Sequence, residues 1–289
     1  MNSKIILITG ATSGIGLAAA RELAKTGATL VIHGRNEQKL NTVKTELAAI
    51  CGEDKINVLL ADMSSMEDVR KMADQFHSMH NKLDVLINNA GGVMTGKRQE
   101  TKDGMEMTFA LNVASVYLLT GLLFDKLRKS ESARIINISS LAHKFGTIDF
   151  TNLQSEKKYS SGQAYGNAKL QVVLLTEELH ERMQKAGIDN ISVNALHPGV
   201  VSTNFALDST GSPFKFYFKY FGFLFISPEK GARTTLHLAT SEKAEGISGK
   251  YFKKCKIAPT KRTYITKENK QKLWKTCEKL TSFQYPDIS

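Results

Sequence analysis

The sequence predicts an α/β protein in which a doubly wound parallel sheet carries helices on both faces. Short apolar runs alternate with longer segments rich in helix formers along most of the chain, a pattern typical of parallel strands joined by helical crossovers. Polar or glycine-rich turns follow the apolar runs, and the carboxyl edge of such a sheet is where ligands bind. With 289 residues, 42% of them hydrophobic, and no linker-like segment, the chain is expected to form one domain.

The first strand and the turn after it have the composition of a nucleotide-phosphate site. Residues 4–9 form an apolar run, and a turn with the spacing Gly-x-x-x-Gly-x-Gly leads from it into a helix over 17–25. Glycines let the backbone approach a pyrophosphate closely, and free N–H groups at a helix start face its negative charge. Glycines also serve ordinary turns, so the prediction depends on the position between strand and helix. The cofactor-binding candidates in this turn are Gly10, Thr12, Ser13, Gly14, Ile15 and Gly16.

The end of the second strand indicates which dinucleotide is bound. This strand covers residues 28–33 and is followed by Gly34, Arg35 and Asn36. NAD-binding sheets usually carry an acidic residue near this place to hold the ribose hydroxyls, whereas a guanidinium pairs with a 2′-phosphate. The sequence therefore favours NADP(H) over NAD(H), with Arg35 and Asn36 as contacts. The alternatives are that Arg35 only covers the sheet edge and that Asn36 caps the helix predicted over 36–50.

The third and fourth strands lead to further candidates at the same edge. Strand 56–60 ends shortly before Asp62 and Met63. The Asp62 carboxylate can accept a hydrogen bond from an adenine amine, or it can cap the helix predicted over 65–80. Strand 83–87 runs into a turn of asparagines and small residues, which can tie neighbouring strands together and leave room for a cofactor ring. The candidates in that turn are Asn89, Ala90 and Gly91.

Three later segments complete the predicted carboxyl edge. A long helix is predicted over 101–129, and Asn112 inside it needs partners if it is buried; it can equally be a satisfied core amide. Strand 134–138 leads into Ser140. Strand 191–196 leads into a turn that contributes Pro198, Gly199, Val201 and Thr203.

A reactive pair is predicted on the helix over 165–184. Tyr165 and Lys169 are four residues apart, so they lie on one face of that helix. A phenol with a pKa of ~10 is a poor acid or base at neutral pH. A nearby ammonium favours the phenolate and is expected to lower that pKa toward the working range. Ser140, at the end of the preceding strand, can point its hydroxyl into the same cleft.

Taken in order, these motifs resemble the short-chain dehydrogenase/reductase superfamily over about residues 4–255. The resemblance implies a single Rossmann domain with a seven-stranded sheet in the order 3-2-1-4-5-6-7, and it makes a homo-oligomer an expectation. The matching residues are Thr9-Gly10-x-x-x-Gly14-x-Gly16, Asn88-Asn89-Ala90-Gly91, Asn112, Ser140, Tyr165-x-x-x-Lys169 and Pro198-Gly199.

The same resemblance implies catalytic roles. Tyr165 would donate a proton to the substrate carbonyl as hydride arrives from the nicotinamide. Lys169 would lower the pKa of Tyr165 and bind the ribose hydroxyls, and Ser140 would hold the carbonyl oxygen. Asn112 would position a water in the proton relay, and Thr203 would hold the carboxamide.

A narrower resemblance is to the retinol dehydrogenase and WW-domain oxidoreductase branch. It is carried by residues 139–143, Tyr159, Gly249-Lys250-Tyr251-Phe252 and Leu273-Trp274. That branch implies an NADP(H)-dependent oxidoreductase that acts on a lipophilic aldehyde or ketone, or on the corresponding alcohol. The alternative is a non-catalytic NADP(H)-sensing or regulatory module on the same fold.

Two segments suggest where an apolar substrate and a membrane would meet the protein. Residues 204–227 follow the sixth strand as a predicted substrate lid, and 214–226 are crowded with aromatics that could lie in a membrane interface or pack on the core or a dimer partner. Residues 1–255 are expected to form the catalytic domain, with 256–289 as a basic tail on or beyond it. Residues 250–279 carry eleven Lys or Arg against two acids, within a net charge of +11; such a run is a solvated face or contacts anionic lipid.

Composition limits the remaining possibilities. No secretory signal or long apolar span is visible, and three widely separated cysteines suit a reducing compartment and lack metal-ligand spacing. We therefore expect a cytoplasmic protein without a metal site, at most peripheral at a membrane. No motif that reads nucleic acid is visible, so no nucleic-acid partner is expected.

Overall fold

The computed structural model describes Met1 and residues 3–199 and 226–288, and in these ranges eight strands form one sheet. The order is β3-β2-β1-β4-β5-β6-β7-β8. The α/β class and the order of the first seven strands are confirmed, whereas the expected count of seven is one too few. The strands are β1 (Ile5–Ile8), β2 (Thr29–Gly34), β3 (Ile56–Leu60), β4 (Val85–Asn88), β5 (Ala133–Ile138), β6 (Ile191–His197), β7 (Lys250–Lys253) and β8 (Lys256–Ile257).

The extra strand β8 is a two-residue return of the chain at the sheet edge. It pairs antiparallel with β7, with Lys253 opposite Lys256, whereas the other strands are parallel. The two residues between them, Lys254 and Cys255, have φ of 52° and 60°. Two central residues with positive φ make a tight hairpin turn whose twist matches the strands. The sequence offers Lys-Cys here instead of Asn-Gly, so the hairpin carries no recognisable turn signal.

Strand order reverses beside β1, and this reversal positions the site. β1 pairs with β2 on one side and with β4 on the other, so Leu7 lies between Val31 and Leu86. The turns after β1 and β4 therefore leave the sheet side by side. A crevice at such a switch point is where doubly wound sheets bind ligands.

Helices cover both faces of the sheet, and each face has its own apolar core. Ile6 and Ile8 point into one core with α1, α2 and α8, whereas Leu7 points into the other with α3, α5, α7 and α9, as the period of a strand requires. The helices are α1 (Gly14–Ala24), α2 (Glu37–Cys51), α3 (Met66–Met79), α4 (Met107–Phe109), α5 (Ser115–Leu122), α6 (Phe124–Arg128), α7 (Ser161–Lys185), α8 (Pro228–Thr240) and α9 (Lys267–Thr281).

The single helix predicted over 101–129 is wrong. Helical structure begins only at Met107, because the buried Glu106 carboxylate caps it by accepting hydrogen bonds from the N–H groups of Thr108 and Phe109, each 2.8 Å long. A wide π turn over Ala110–Ala114 follows, then α5, a break at Leu123, and α6. Apolar periodicity continues through all these pieces, so the pattern alone does not reveal the interruptions.

The C-terminal segment packs its apolar side onto α7. Trp274 of α9 is 1% exposed, and the Arg182 guanidinium carbon lies 4.7 Å from the centre of its ring. The Lys270 ammonium is buried and pairs with Glu177 and Glu181 of α7. Part of the basic charge of this segment is therefore neutralised within the fold.

The segment between β6 and α8 falls mostly outside the described residues. The predicted lid over 204–227 is described only at Ile226 and Ser227, and the candidates Val201 and Thr203 are not described. Ser227 caps α8 by accepting a hydrogen bond from the N–H of Lys230. Within the described ranges, no helix combines the length and the apolarity needed to cross a bilayer.

Candidate active site

The glycine turn after β1 has the shape of a phosphate cradle. Gly10 and Gly14 have φ of +64° and +56°, which favours glycine. A Cβ on Gly16 would lie 2.2 Å from the Gly10 carbonyl oxygen and 2.5 Å from the Asn89 amide nitrogen, so only glycine fits there. The Ser13 side chain does not cap α1, so it leaves the first N–H groups of that helix to other partners. These features fit the diphosphate of a dinucleotide.

Asparagine and threonine side chains join the turn after β4 to the turn after β1. The Asn89 amide donates to the carbonyl oxygens of Thr9 and Gly10 at 2.8 and 3.1 Å. The Thr9 hydroxyl oxygen in turn accepts from the N–H groups of Asn89 and Ala90, each at 2.9 Å. Deeper in the sheet, the Asn88 amide donates to Asn137 at 2.8 Å. The expectation that these asparagines tie neighbouring strands is confirmed.

His33, at the end of β2, is a site residue that sequence reasoning missed. Its ring is 2% exposed; Nδ1 accepts from the Gly10 N–H at 3.1 Å, and Nε2 lies 3.0 Å from the Ala61 carbonyl oxygen. Burial lowers its pKa. The available signal was a polar ring at the end of an otherwise apolar strand.

The cofactor candidates beyond β2 and β3 have mixed surroundings. Arg35 is exposed and forms no ion pair within the described chain. Thr12 lies against Gly34, since a Cβ on Gly34 would be 2.5 Å from the methyl carbon of Thr12. Asn36 caps α2, since its side-chain oxygen accepts from the Lys39 N–H at 2.9 Å. Arg35 is therefore the candidate whose side chain is available to a ligand.

The Asp62 and Met63 positions differ in what they offer. The Asp62 carboxylate accepts from the Ser64 N–H and hydroxyl at 2.9 and 2.7 Å, and Ser65 is the residue that caps α3. The alternative in which Asp62 caps the helix is therefore wrong. The Asp62 side chain is exposed. Met63 is 4% exposed and belongs to the core, so only its backbone can face a ligand.

Ser140, Tyr165 and Lys169 come together where β5 meets the start of α7. The Tyr165 hydroxyl shares a hydrogen bond with the Ser140 side chain, and the Lys169 ammonium lies 5.5 Å from the centre of the phenol ring. Lys169 is 4% exposed and donates to the Ile138 carbonyl oxygen at 3.0 Å. The first turn of α7, residues 161–164, was not predicted, since these residues lack an apolar pattern.

Asn112 approaches the same group from the π turn. Its amide donates to the carbonyl oxygens of Gly92 and Thr108, each at 2.9 Å, and its oxygen accepts from the Gly92 N–H at 3.2 Å. A Cβ on Gly91 would lie 2.7 Å from the Asn112 oxygen and 3.2 Å from the Lys169 ammonium. The Asn112 and Lys169 side chains therefore both lie where a side chain at position 91 would be, so this position requires glycine.

Burial controls the ionisation of the reactive pair. It raises the pKa of Tyr165 to about 12, against the opposing effect of the Ser140 hydrogen bond. It also lowers the pKa of Lys169 to about 7. The expected downward shift of the phenol pKa is therefore wrong for this structure, because the loss of hydration outweighs the Ser140 hydrogen bond.

Two buried imidazoles hold the backbone around Ser140. The His143 Nδ1 lies 2.6 Å from the Ser140 carbonyl oxygen, and the His197 Nδ1 accepts from the Leu141 N–H at 3.2 Å. The His143 ring packs on Tyr251 of β7 at 4.6 Å between centroids. Burial lowers the pKa of both histidines, that of His197 to about 4.

The turn after β6 contributes two described candidates. Pro198 and Gly199 are partly buried, and Gly199 has φ of +105°. A Cβ on Gly199 would lie 2.3 Å from the Ile226 side chain. Gly199 and Ile226 therefore lie against each other.

Comparison with known proteins identifies relatives of this arrangement. A family model described as short chain dehydrogenase matches residues 4–211. Retinol dehydrogenase 12 of Mus musculus is 38% identical over 282 residues, which cover 98% of this chain and 87% of that protein. Retinol dehydrogenase 11 of Homo sapiens is 39% identical over 255 residues, which cover 88% of this chain and 78% of that protein.

Solved structures share the same architecture. A crystal structure of an uncharacterised protein from Mycobacterium paratuberculosis superposes with a TM-score of 0.79 at 29% identity, covering 98% of this chain and 95% of that chain. The Pseudomonas aeruginosa RhlG/NADP active-site complex superposes with a TM-score of 0.69 at 26% identity, covering 87% of this chain and 94% of that chain.

Proposed function

Because the chain belongs to the short chain dehydrogenase family and is an oxidoreductase acting on an alcohol or carbonyl group, we propose that it transfers hydride between NADP(H) and a lipophilic aldehyde or ketone. The observation that carries this proposal is the contact of Ser140, Tyr165 and Lys169. Lys169 lies near Gly91, in the turn that is hydrogen-bonded to the glycine turn through Asn89. A proton-bearing phenol can donate a proton to a carbonyl oxygen, a hydroxyl can orient that oxygen, and a nearby ammonium can stabilise the phenolate that results.

NADP(H), when bound, supplies or accepts the hydride, and the protein's own residues handle the proton. Tyr165 holds a proton on its hydroxyl oxygen at neutral pH, because burial raises its pKa to about 12. The Ser140 hydroxyl is hydrogen-bonded to that phenol and is available to orient a substrate oxygen between them. Lys169 supplies positive charge under the phenol ring, which stabilises the phenolate left after proton donation.

A preference for NADPH is supported by the end of β2. Gly34 and Arg35 occupy the place where a ribose-binding carboxylate would lie, and Arg35 has no ion-pair partner in the described chain. Its guanidinium is therefore available to a 2′-phosphate. The solved RhlG relative is a complex with NADP.

A lipophilic, retinoid-like substrate is supported by the relatives and by the walls of the cleft. The curated relatives named above are retinol dehydrogenases. Met94 and Leu111 side chains lie beside Gly92, 3.3 and 3.5 Å from where its Cβ would be, so this wall is apolar. Phe145, five residues after Ser140, is 78% exposed. An extended apolar aldehyde would cover such surfaces better than a sugar would.

The proposal is tested by NADPH consumption with a panel of carbonyl compounds. Purified protein is mixed with retinal, a medium-chain alkanal or a steroid ketone, and NADPH absorbance is followed. We expect turnover with at least one apolar aldehyde, and faster turnover with NADPH than with NADH. Binding of NADPH without turnover of any compound would instead support the sensing module, and equal rates with NADH would contradict the assigned preference.

Peripheral contact with a membrane from the cytoplasmic side is a second part of the proposal. It is supported by the aromatic sequence 214–226 and by the exposed lysines Lys272, Lys275 and Lys279 on α9. Liposome co-sedimentation tests it: binding to anionic vesicles at low salt, weakened at high salt, is expected. Absence of binding at low salt would contradict the proposed membrane contact.

A homo-oligomer is likewise proposed, and light scattering of the purified protein measures its mass in solution.

A further inference from the structure

An imidazole is among the groups that attach the glycine turn to the sheet. The Gly10 N–H donates to the His33 Nδ1 at 3.1 Å, and the Ala11 N–H donates to the His33 carbonyl oxygen at 2.8 Å. The other ring nitrogen lies 3.0 Å from the Ala61 carbonyl oxygen, after β3. His33 therefore connects the turn after β1 with the ends of two further strands.

Both partners of the ring have fixed roles, so they determine its tautomer. A backbone N–H can only donate, which requires a bare Nδ1, and a carbonyl oxygen can only accept, which requires a proton on Nε2. The neutral imidazole protonated on Nε2 satisfies both groups at once. Protonation of Nδ1 would place two donors face to face at the Gly10 contact and remove that hydrogen bond.

We propose that His33 is a positioning residue for the dinucleotide site, and that its Nε2-protonated tautomer holds the Gly10 turn in its phosphate-binding conformation. The proposal rests on the dinucleotide binding proposed above. His33 does not need to touch the ligand; it acts through Gly10, whose carbonyl oxygen lies against Gly16 and Asn89 in the cradle.

Acidification is expected to loosen the turn. Burial and the Gly10 N–H donor oppose the imidazolium, whereas the Ala61 carbonyl and the nearby Asp62 carboxylate favour it, and the resulting pKa is lowered. Asp62 is the ionisable group of the described chain that acts on His33 through its charge. Dinucleotide affinity is therefore expected to hold at neutral pH and to fall as the pH drops through the lowered pKa of His33.

Two substitutions and one control test the proposal. His33→Leu removes both ring contacts and is expected to weaken binding of NADP⁺ by about tenfold, the loss of one buried hydrogen bond. His33→Asn retains an acceptor for the Gly10 N–H and is expected to recover most of this affinity while losing the histidine-dependent fall at acid pH. His77→Leu is the matched control, because His77 contacts one carbonyl oxygen, that of Leu122, away from the turn. Affinity is measured by calorimetry at several pH values.

A second measurement does not depend on any ligand or variant. Nitrogen chemical shifts of the imidazoles, recorded on the whole chain without cofactor, report the tautomer of His33 directly. A proton on Nδ1 at neutral pH, or equal affinities for NADP⁺ in the wild type, His33→Leu and His33→Asn, would overturn the proposal. If the wild type binds no dinucleotide at all, the proposed function fails instead, while the chemical shifts still decide the tautomer.

Discussion

Lys169 is the reactive side chain whose charge is most sensitive to pH. Burial lowers its pKa to about 7, while the pKa of the adjacent Tyr165 is raised to about 12. At neutral pH the phenol is therefore protonated, and the amine changes its charge in the neutral range. A dinucleotide in the cleft would bring negative charge and favour the ammonium. Cofactor binding and proton uptake by this pair are thus expected to be coupled.

Replacing Tyr165 by Phe tests the assigned proton donor. The substitution removes one oxygen and preserves the ring that packs beside Lys169, so cofactor affinity should change little. Turnover should fall about a thousandfold, the usual contribution of a positioned acid. Steady-state rates with the best aldehyde and calorimetric binding of NADP⁺ separate the two effects.

Tyr264→Phe serves as the control for that experiment. Tyr264 lies under the Lys261 ammonium, 5.2 Å from its ring centre, and forms no part of the site. Its loss of a hydroxyl should leave both rate and affinity unchanged. Full activity in Tyr165→Phe would show that another group donates the proton.

Arg35→Ala tests the preference for NADPH. If the exposed Arg35 guanidinium pairs with a 2′-phosphate as proposed, its removal should raise the KM for NADPH about tenfold, the value of a charge-assisted contact, and leave the KM for NADH unchanged. The ratio of kcat/KM for the two dinucleotides is the measurement. Lys71→Ala, which removes an exposed cation paired with Glu67 on α3, is the matched control. A ratio unaffected by Arg35→Ala would assign the preference elsewhere.

At the level of elements, α7 and α9 connect the catalytic edge to the C-terminal segment. α7 begins with the reactive pair and carries, further along, the acids that pair with Lys270 of α9. Tyr117, Trp274 and Tyr285 pack ring against ring where α5 meets α9. The C-terminal segment thus supports the helix on which the reactive side chains lie.

Trp274→Ala should destabilise the fold strongly. The side chain is 1% exposed, so truncation leaves a cavity, and buried aromatic-to-alanine changes cost about 3–5 kcal/mol. Urea unfolding followed by circular dichroism measures the change in the free energy of unfolding. The neighbouring Lys275 is exposed, and Lys275→Ala should change that free energy by less than ~0.5 kcal/mol. Equal stability of the two variants would contradict the packing described for α9.

The elements that sequence reasoning predicted well are those with a strong local signal. Apolar runs between polar turns predicted β1 to β6, because buried parallel strands carry that composition. The breaks at Glu106 and Leu123 could not be predicted. The Glu106 cap is buried, and the π turn that follows it holds Asn112 against Gly92, so both depend on tertiary contacts. The β7–β8 hairpin could not be predicted either, because Lys254 and Cys255 adopt positive φ without a glycine.

For the molecule as a whole, buried histidines predict loss of stability in acid. His33, His143 and His197 have lowered pKa values, that of His197 being about 4. Above the unfolded pKa of ~6.5 the histidine is neutral in both the folded and the unfolded chain, so its titration does not change the free energy of unfolding. Below that pH the unfolded chain binds more protons than the folded chain, so the free energy of unfolding falls as the pH drops. His197 alone would contribute a loss of about 3 kcal/mol near its folded pKa.

Thermal unfolding at about pH 7 and about pH 5 tests this expectation. The melting temperature should be lower at the more acidic pH. His197→Asn keeps an acceptor for the Leu141 N–H and should reduce the difference between the two pH values. His77→Asn, at a histidine that is only half-buried, should leave the difference unchanged. A melting temperature independent of pH over this range would contradict the buried neutral histidines.

The site as a whole could be predicted in outline and not in its electrostatics. Residues that follow parallel strands must meet at one edge, so the proximity of Gly10, Asn89 and Ser140 followed from chain order alone. The upward pKa of Tyr165 and the contacts of His33 could not be foreseen, because both depend on how much water the fold excludes. Spacing predicts which groups meet, whereas solvation decides their protonation.

The order of the strands has a consequence for the edges of the sheet. In chain order, β2 and β3 lie outward of β1 on one side, and β4 to β7 lie outward of it on the other, so each strand pairs with one that precedes it in the chain. An unpaired edge strand is an open template for foreign strands. At the edge beyond β7, the strand β8 has only two residues, and Lys254 before it and Lys256 within it are exposed. A short edge strand with charged side chains is a poor partner for another strand. Pairing of a foreign strand is thereby disfavoured at the β8 edge of the sheet, whereas β3 forms the opposite edge.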